Sequence, residues 1–128
     1  MIQTVETPNA PLAAGHYAQA TVWNDLIFVS GQLPIDPVTK EKLTGSIDEQ
    51  TRQVLENVKA ILDAAGSDLA HVLKTTVYIA DIALWDQVNA AYAGFFGEHK
   101  PARAVVPTNQ LHYGFLIEIE AIAVRKAP

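Results

Sequence analysis

The chain has 128 residues, 49% hydrophobic and 18% charged, which suits one domain with a sizeable core and excludes intrinsic disorder. Nine Lys and Arg against fourteen Asp and Glu leave a net charge of −5, the wrong sign for a nucleic-acid coat or an anionic-membrane binder. With no cysteine, disulfides, thiolate nucleophiles and cysteine-ligated metal centres are all removed.

Met1 to Glu6 has neither the basic start nor the apolar run of a secretory signal. No apolar stretch approaches the ~20 residues of a membrane helix, so a soluble, cytoplasmic protein is expected. The first 18 residues, with Pro8, Pro11 and Gly15, read as an arm. Ala20–Trp23 and Leu26–Ser30 flank Asn24-Asp25, the spacing of a two-residue hairpin. Gly31 is expected to end the second strand, and two prolines at 34 and 37 make residues 31–45 a loop.

Ser46-Ile47-Asp48-Glu49 is a capping-box pattern. The stripe Val54, Leu55, Val58, Ile61, Leu62, Ala65 behind it predicts a helix over 47–65, stopped by Gly66. Leu73–Ala80 is rich in β-branched residues and reads as a strand. Asp81 then caps a second helix whose apolar stripe runs from Leu84 to Phe96 and stops at Gly97. Ala102–Val106 and Phe115–Val124 are the last strands. The order ββ-α-β-α-β-β over a single domain, 1–128, gives an α+β sheet with two helices on one face. Both faces of the last strand are largely apolar, so the face without helices calls for cover, which a homo-oligomer would supply; the alternative is a merely tolerant surface.

Several residues can do chemistry. Glu118 and Glu120 share a strand face about 7 Å apart, where mutual repulsion raises a carboxyl pKa; salt bridges to a neighbouring strand are the alternative. Arg103, set among alanine and valine, needs a carboxylate, either from a small acid or from Glu118 or Glu120. Tyr17 closes the arm, and Gly31 after Ser30 can offer a free backbone N–H to an anionic oxygen, or simply turn the chain. The four histidines lack metal-ligand spacing, and no phosphate loop or serine elbow occurs, so neither metal nor cofactor is expected.

Taken together, Gly15-His16-Tyr17-Ala18-Gln19, Val29-Ser30-Gly31-Gln32-Leu33-Pro34, Lys74-Thr75-Thr76-Val77-Tyr78, Val88-Asn89-Ala90-Ala91-Tyr92, Pro101-Ala102-Arg103 and Ile117-Glu118-Ile119-Glu120-Ala121 resemble the Rid family. These are enamine/imine deaminases formerly grouped as L-PSP endoribonucleases or YjgF proteins. The resemblance runs end to end. It implies a chorismate-mutase-like fold assembled as a homotrimer, with sheets lining an inner β-barrel and three clefts between subunits. It also implies hydrolysis of 2-imino acids, derived from 2-aminoacrylate or 2-aminocrotonate, to 2-oxo acids and ammonia. The family's carboxylate-binding arginine falls on Arg103 and its water-orienting glutamate on Glu120; Tyr17, Ser30, Gly31 and Asn89 match cleft-lining positions.

Three departures stand out: His16 replaces a proline, Val105 replaces a cysteine common two residues after the arginine, and Leu111-His112-Tyr113-Gly114 replaces a Leu-Pro turn. The last is expected to reshape the cleft mouth. Other readings are a trimer that binds small carboxylates, or acts like a chaperone, without turnover; a deaminase of a larger enamine such as 2-aminomuconate; and a ribonuclease, which the scattered basic residues oppose.

Overall fold

The computed structural model describes residues 1–127. Strands β1 (Gln3–Val5), β2 (Ala20–Trp23) and β3 (Leu26–Gln32) come first, followed by helix α1 (Ile47–Ala64), β4 (Val72–Ile79), α2 (Trp85–Phe96), β5 (Ala102–Pro107) and β6 (Ile117–Val124). They form one six-stranded sheet in the order β1-β2-β3-β6-β4-β5. Only β4 and β5 run parallel, joined by α2 as the crossover; every other pair is antiparallel. Among the described residues no helix is long and apolar enough to cross a membrane.

The expected elements form, with one addition and one extension. Residues 3–5, expected within an arm, pair with β2 as an edge strand, Thr4 opposite Thr21. A three-residue Gln-Thr-Val segment carries too little alternation to be seen without its partner. Gly31 does not end β3, which runs on to Gln32. Val29 pairs with Ala121 and Gln32 with Ile119, so Ser30 and Gly31 together face the single residue Glu120. This β-bulge inserts one extra residue and re-aims the chain at that point.

Helix α1 begins as its sequence dictates, with Ser46 Oγ accepting from the Glu49 N–H at 3.2 Å. Its apolar face buries Val54, Leu55, Val58, Ile61 and Leu62 completely against Val77, Ile79, Ile117 and Ile119 of the sheet. Two buried polar side chains of α1 fasten loops at its edge. Asn57 Nδ2 donates to the Leu33 and Ile35 carbonyls, both at 3.0 Å, and Gln50 Oε1 accepts from the Leu116 N–H at 2.9 Å.

Along β6 the odd residues Ile117 to Ala123 are buried under the helices, while Glu118, Glu120, Ile122 and Val124 face the side without helices. On that open face Phe28 and Val106 remain 42% and 36% exposed, an apolar surface that the described residues leave uncovered.

Candidate active site

The residues singled out in the sequence fall into two groups on opposite faces of the sheet. Arg103 lies on the edge strand β5, beside Thr75 of β4, and points to the helix side. Its Nη1 donates to Asn89 Oδ1 at 3.0 Å. The guanidinium sits 4.8 Å from the Tyr92 ring centre and 5.6 Å from that of Trp85. Trp85, Asn89 and Tyr92 recur at helical spacing, so one face of α2 presents all three. Tyr92 is itself fixed by a 2.7 Å hydrogen bond to Thr75 Oγ1, and burial pushes its pKa up. Among the described residues no carboxylate pairs with Arg103. Asn89, Tyr92 and Arg103 line a hollow of about 440 Å³ with His99 and Lys100. A half-buried guanidinium held by an amide and two rings, with its charge unneutralised, is suited to a carboxylate ligand.

The second group surrounds the bulge. Ser30 Oγ donates to the Ala18 carbonyl at 2.6 Å, and Gln19, fully buried, binds the Thr7 N–H at 2.7 Å and the Thr7 and Pro11 carbonyls at 3.1 and 2.8 Å. These bonds lash the arm to the sheet and leave Tyr17 at its rim, half-exposed, its hydroxyl accepting from the Ala14 N–H. Gly31 lies against the Glu118 side chain: a Cβ on residue 31 would stand 3.0 Å from the Glu118 carboxyl carbon and closer still to an oxygen. Only glycine permits that approach.

The two glutamates differ. Glu118 is partly buried, and its pKa is raised, first by desolvation and then by the Glu120 charge, with His112 opposing. Glu120 is exposed, and Tyr78 donates to it at 2.6 Å, which raises the Tyr78 pKa. Neither glutamate meets Arg103, so of the two alternatives for its partner the internal ion pair does not form. At about 4.8 Å per strand, β5 and β6 stand roughly 10 Å apart, and their functional groups project to opposite sides. Within one protomer the Arg103 guanidinium and the two carboxyls do not converge.

The loop that departs from the family pattern also reaches this region. Tyr113, at φ 57°, holds a left-handed conformation that costs a bulky side chain about 1–3 kcal/mol. Its ring centre lies 4.0 Å from that of His112, the two rings tilted by 51°, and 5.7 Å from that of Phe115, edge-on, with Lys42 Nζ 4.6 Å from its ring centre. His112 and Tyr113 wall a cavity of about 250 Å³ that extends from Gly31 between Tyr17, Leu33 and Ile35. Sequence reasoning missed the Trp85–Tyr92 face behind Arg103, which the spacing on α2 could have shown. Among the described residues no cluster of three His, Asp or Glu could hold a metal ion.

An α+β sheet with helices on one face, a lone guanidinium at its edge and a glycine-backed carboxyl on its open side defines a domain of the L-PSP type. The chain belongs to the Rid family, matching the family described as endoribonuclease L-PSP over residues 7–125. It is 49% identical to a RutC family protein of Pyrococcus horikoshii over 98% of this chain and 100% of that protein. It is 44% identical, over 98% and 100%, to the 2-iminobutanoate/2-iminopropanoate deaminase of Escherichia coli K12. The crystal structure of E. coli TdcF with bound serine superposes with a TM-score of 0.92 at 40% identity, covering 97% and 99% of the two chains.

Proposed function

We propose that the protein hydrolyses 2-imino and 2-enamino acids to 2-oxo acids and ammonia, in clefts assembled between the copies of a homotrimer. The observation that carries this reading is the division of labour across the sheet. An unneutralised arginine on one face and a glycine-backed carboxyl on the other have use for a single small acid only where two copies meet. The apolar open face, with Phe28 and Val106 uncovered, supports assembly through that side.

In such a cleft Arg103, held by Asn89, takes the substrate carboxylate in a two-pronged hydrogen bond and so fixes the imine carbon. For the water-activating carboxylate we favour Glu118 over the Glu120 suggested by the motif. Glu118 is desolvated, its pKa is raised, and it lies against Gly31, whereas Glu120 is exposed and bonded to Tyr78. Ionised Glu118 accepts a proton from water as the water oxygen bonds to the imine carbon and the C=N π pair moves to nitrogen. Glu118 returns the proton to nitrogen and then takes the hydroxyl proton as the C–N bond breaks, ammonia leaves and the C=O bond forms. The Gly31 N–H and the Tyr17 hydroxyl orient the reacting groups. The iminium carbon is already electrophilic, so this chemistry needs no covalent nucleophile.

The relative solved with bound serine favours one second reading, a trimer that holds small amino or oxo acids without turnover. Ribonuclease action has no support in a net charge of −5. To decide, an amino-acid oxidase generates 2-iminopropanoate and 2-iminobutanoate in place, and semicarbazide traps what survives. Accelerated imine loss with wild type, abolished in Arg103→Ala and Glu118→Gln, is expected. Binding of 2-oxo acids with no imine loss would establish the second reading instead.

A further inference from the structure

The pair of hydroxyls behind Arg103 has no part in the chemistry above. Deepening the deaminase reading and resting on it, we infer that Thr75 and Tyr92 are positioning residues: their buried hydrogen bond locks α2 against β4 and so sets the plane in which the Arg103 guanidinium receives the substrate carboxylate.

The residue types argue for this first. Along β4, Thr75, Val77 and Ile79 alternate into the core, and Thr75 alone of the three carries a hydroxyl. It is also the residue beside Arg103 in the β4–β5 register. On α2 the buried stripe holds Val88, Ala91, Tyr92 and Phe96. Phe96 lies one turn beyond Tyr92, the two ring centres 4.6 Å apart, and packs there without a hydroxyl. Burying a hydroxyl is unfavourable unless it is bonded, and packing alone asks for none at either position. The two hydroxyls meet each other, 2.7 Å apart.

Geometry is the second argument. Helix α2 meets Arg103 with two groups from one face: Asn89 Oδ1 accepts from Nη1 at 3.0 Å, and the Tyr92 ring centre lies 4.8 Å from the guanidinium carbon. The ring restrains the tilt of the guanidinium plane and the amide restrains its rotation, which leaves Nε and Nη2 for the two prongs. Both groups ride on α2, so the seating of that helix decides both at once. The Thr75–Tyr92 bond ties it to the strand next to Arg103's own. Burial raises the Tyr92 pKa and keeps the phenol neutral, so no phenolate competes with substrate for the guanidinium.

The test begins with Thr75→Val combined with Tyr92→Phe, which removes both hydroxyls and keeps the shape, so melting should stay within about 3 °C of wild type. KM for 2-iminobutanoate, and Kd for 2-oxobutanoate by calorimetry, should each rise at least ~5-fold, with kcat within about threefold. Should the double variant not fold, Tyr92→Phe alone carries the same expectation for KM and Kd. Thr75→Ser keeps the hydroxyl and loses a buried methyl, so it should melt roughly 2–6 °C lower with KM and Kd within about twofold of wild type. In an Arg103→Lys background, which has no plane to set, the double change should lower kcat/KM less than about twofold. Unchanged KM and Kd in the variants lacking the bond, values that follow melting temperature across the set, or an equal loss in the Arg103→Lys background would each overturn the positioning role and leave deamination intact. A wild type that binds 2-oxobutanoate without hydrolysing imine, its binding weakened by the double change and kept in Thr75→Ser, would support the pair and overturn deamination. A wild type that neither binds nor hydrolyses would overturn both.

Discussion

Replacing Gly31 by alanine puts a methyl carbon where the Glu118 carboxyl now lies, 3.0 Å from its carbon and nearer to one oxygen. Residue 31 is not in the left-handed region, so alanine suits the backbone, and the conflict falls on the Glu118 side chain alone. That side chain is partly exposed and can turn aside, at an off-rotamer cost of about 0.5–1.5 kcal/mol. The melting temperature should therefore drop by only roughly 2–6 °C. Activity should suffer far more, because moving a positioned base by about 1 Å costs on the order of 100-fold. Imine trapping gives kcat/KM, and a thermal melt on the same samples gives the stability. If Gly31 acts through Glu118, Gly31→Ala combined with Glu118→Gln should be no slower than Glu118→Gln alone. Activity of Gly31→Ala within threefold of wild type, or losses that add in the double variant, would refute the reasoning.

Arg103→Lys keeps the charge but loses the planar fork, and is expected to raise KM at least ~30-fold in steady-state imine hydrolysis with the oligomer intact by light scattering. The proposed base works ionised, so activity falls as pH drops through the Glu118 pKa, which desolvation and the Glu120 charge hold above the ordinary carboxylate value. Glu120→Gln should thus move the acid limb of the pH–rate profile to lower pH, and His112→Ala should move it to higher pH. Gln19→Leu strands the buried Thr7 N–H and carbonyl that Gln19 now satisfies. A loss of about 2–4 kcal/mol, or roughly 10 °C in thermal melting, is expected.

The helices were legible because each carries its own punctuation. Ser46 and the Val54–Leu62 stripe mark α1, and Asp81, whose carboxylate accepts from the Ala83 N–H, announces the turn into α2. The apolar open face of β6 was equally readable from strict alternation. Three features were not. Strand β1 is defined only by what it pairs with. The bulge at Ser30-Gly31 is a mismatch in count between β3 and β6, invisible along either strand alone. The same bulge distinguishes two glutamates that alternation treats as equals, since which of them lies against Gly31 depends on cross-strand register. Arg103 was recognisable as a functional residue, but its orientation was not. Only the placement of α2 turns it toward Asn89 and Tyr92, away from the carboxylates.

That opposition has a consequence for mixed assemblies. If each cleft draws its arginine from one copy and its glutamate from another, two inert proteins can mend each other. Arg103→Ala and Glu118→Gln, unfolded together and refolded at equal amounts, would place an intact Arg103 opposite an intact Glu118 in about a quarter of the clefts. The mixture should regain close to that share of wild-type imine hydrolysis, although neither parent has any. A site contained within one chain would stay silent at every mixing ratio.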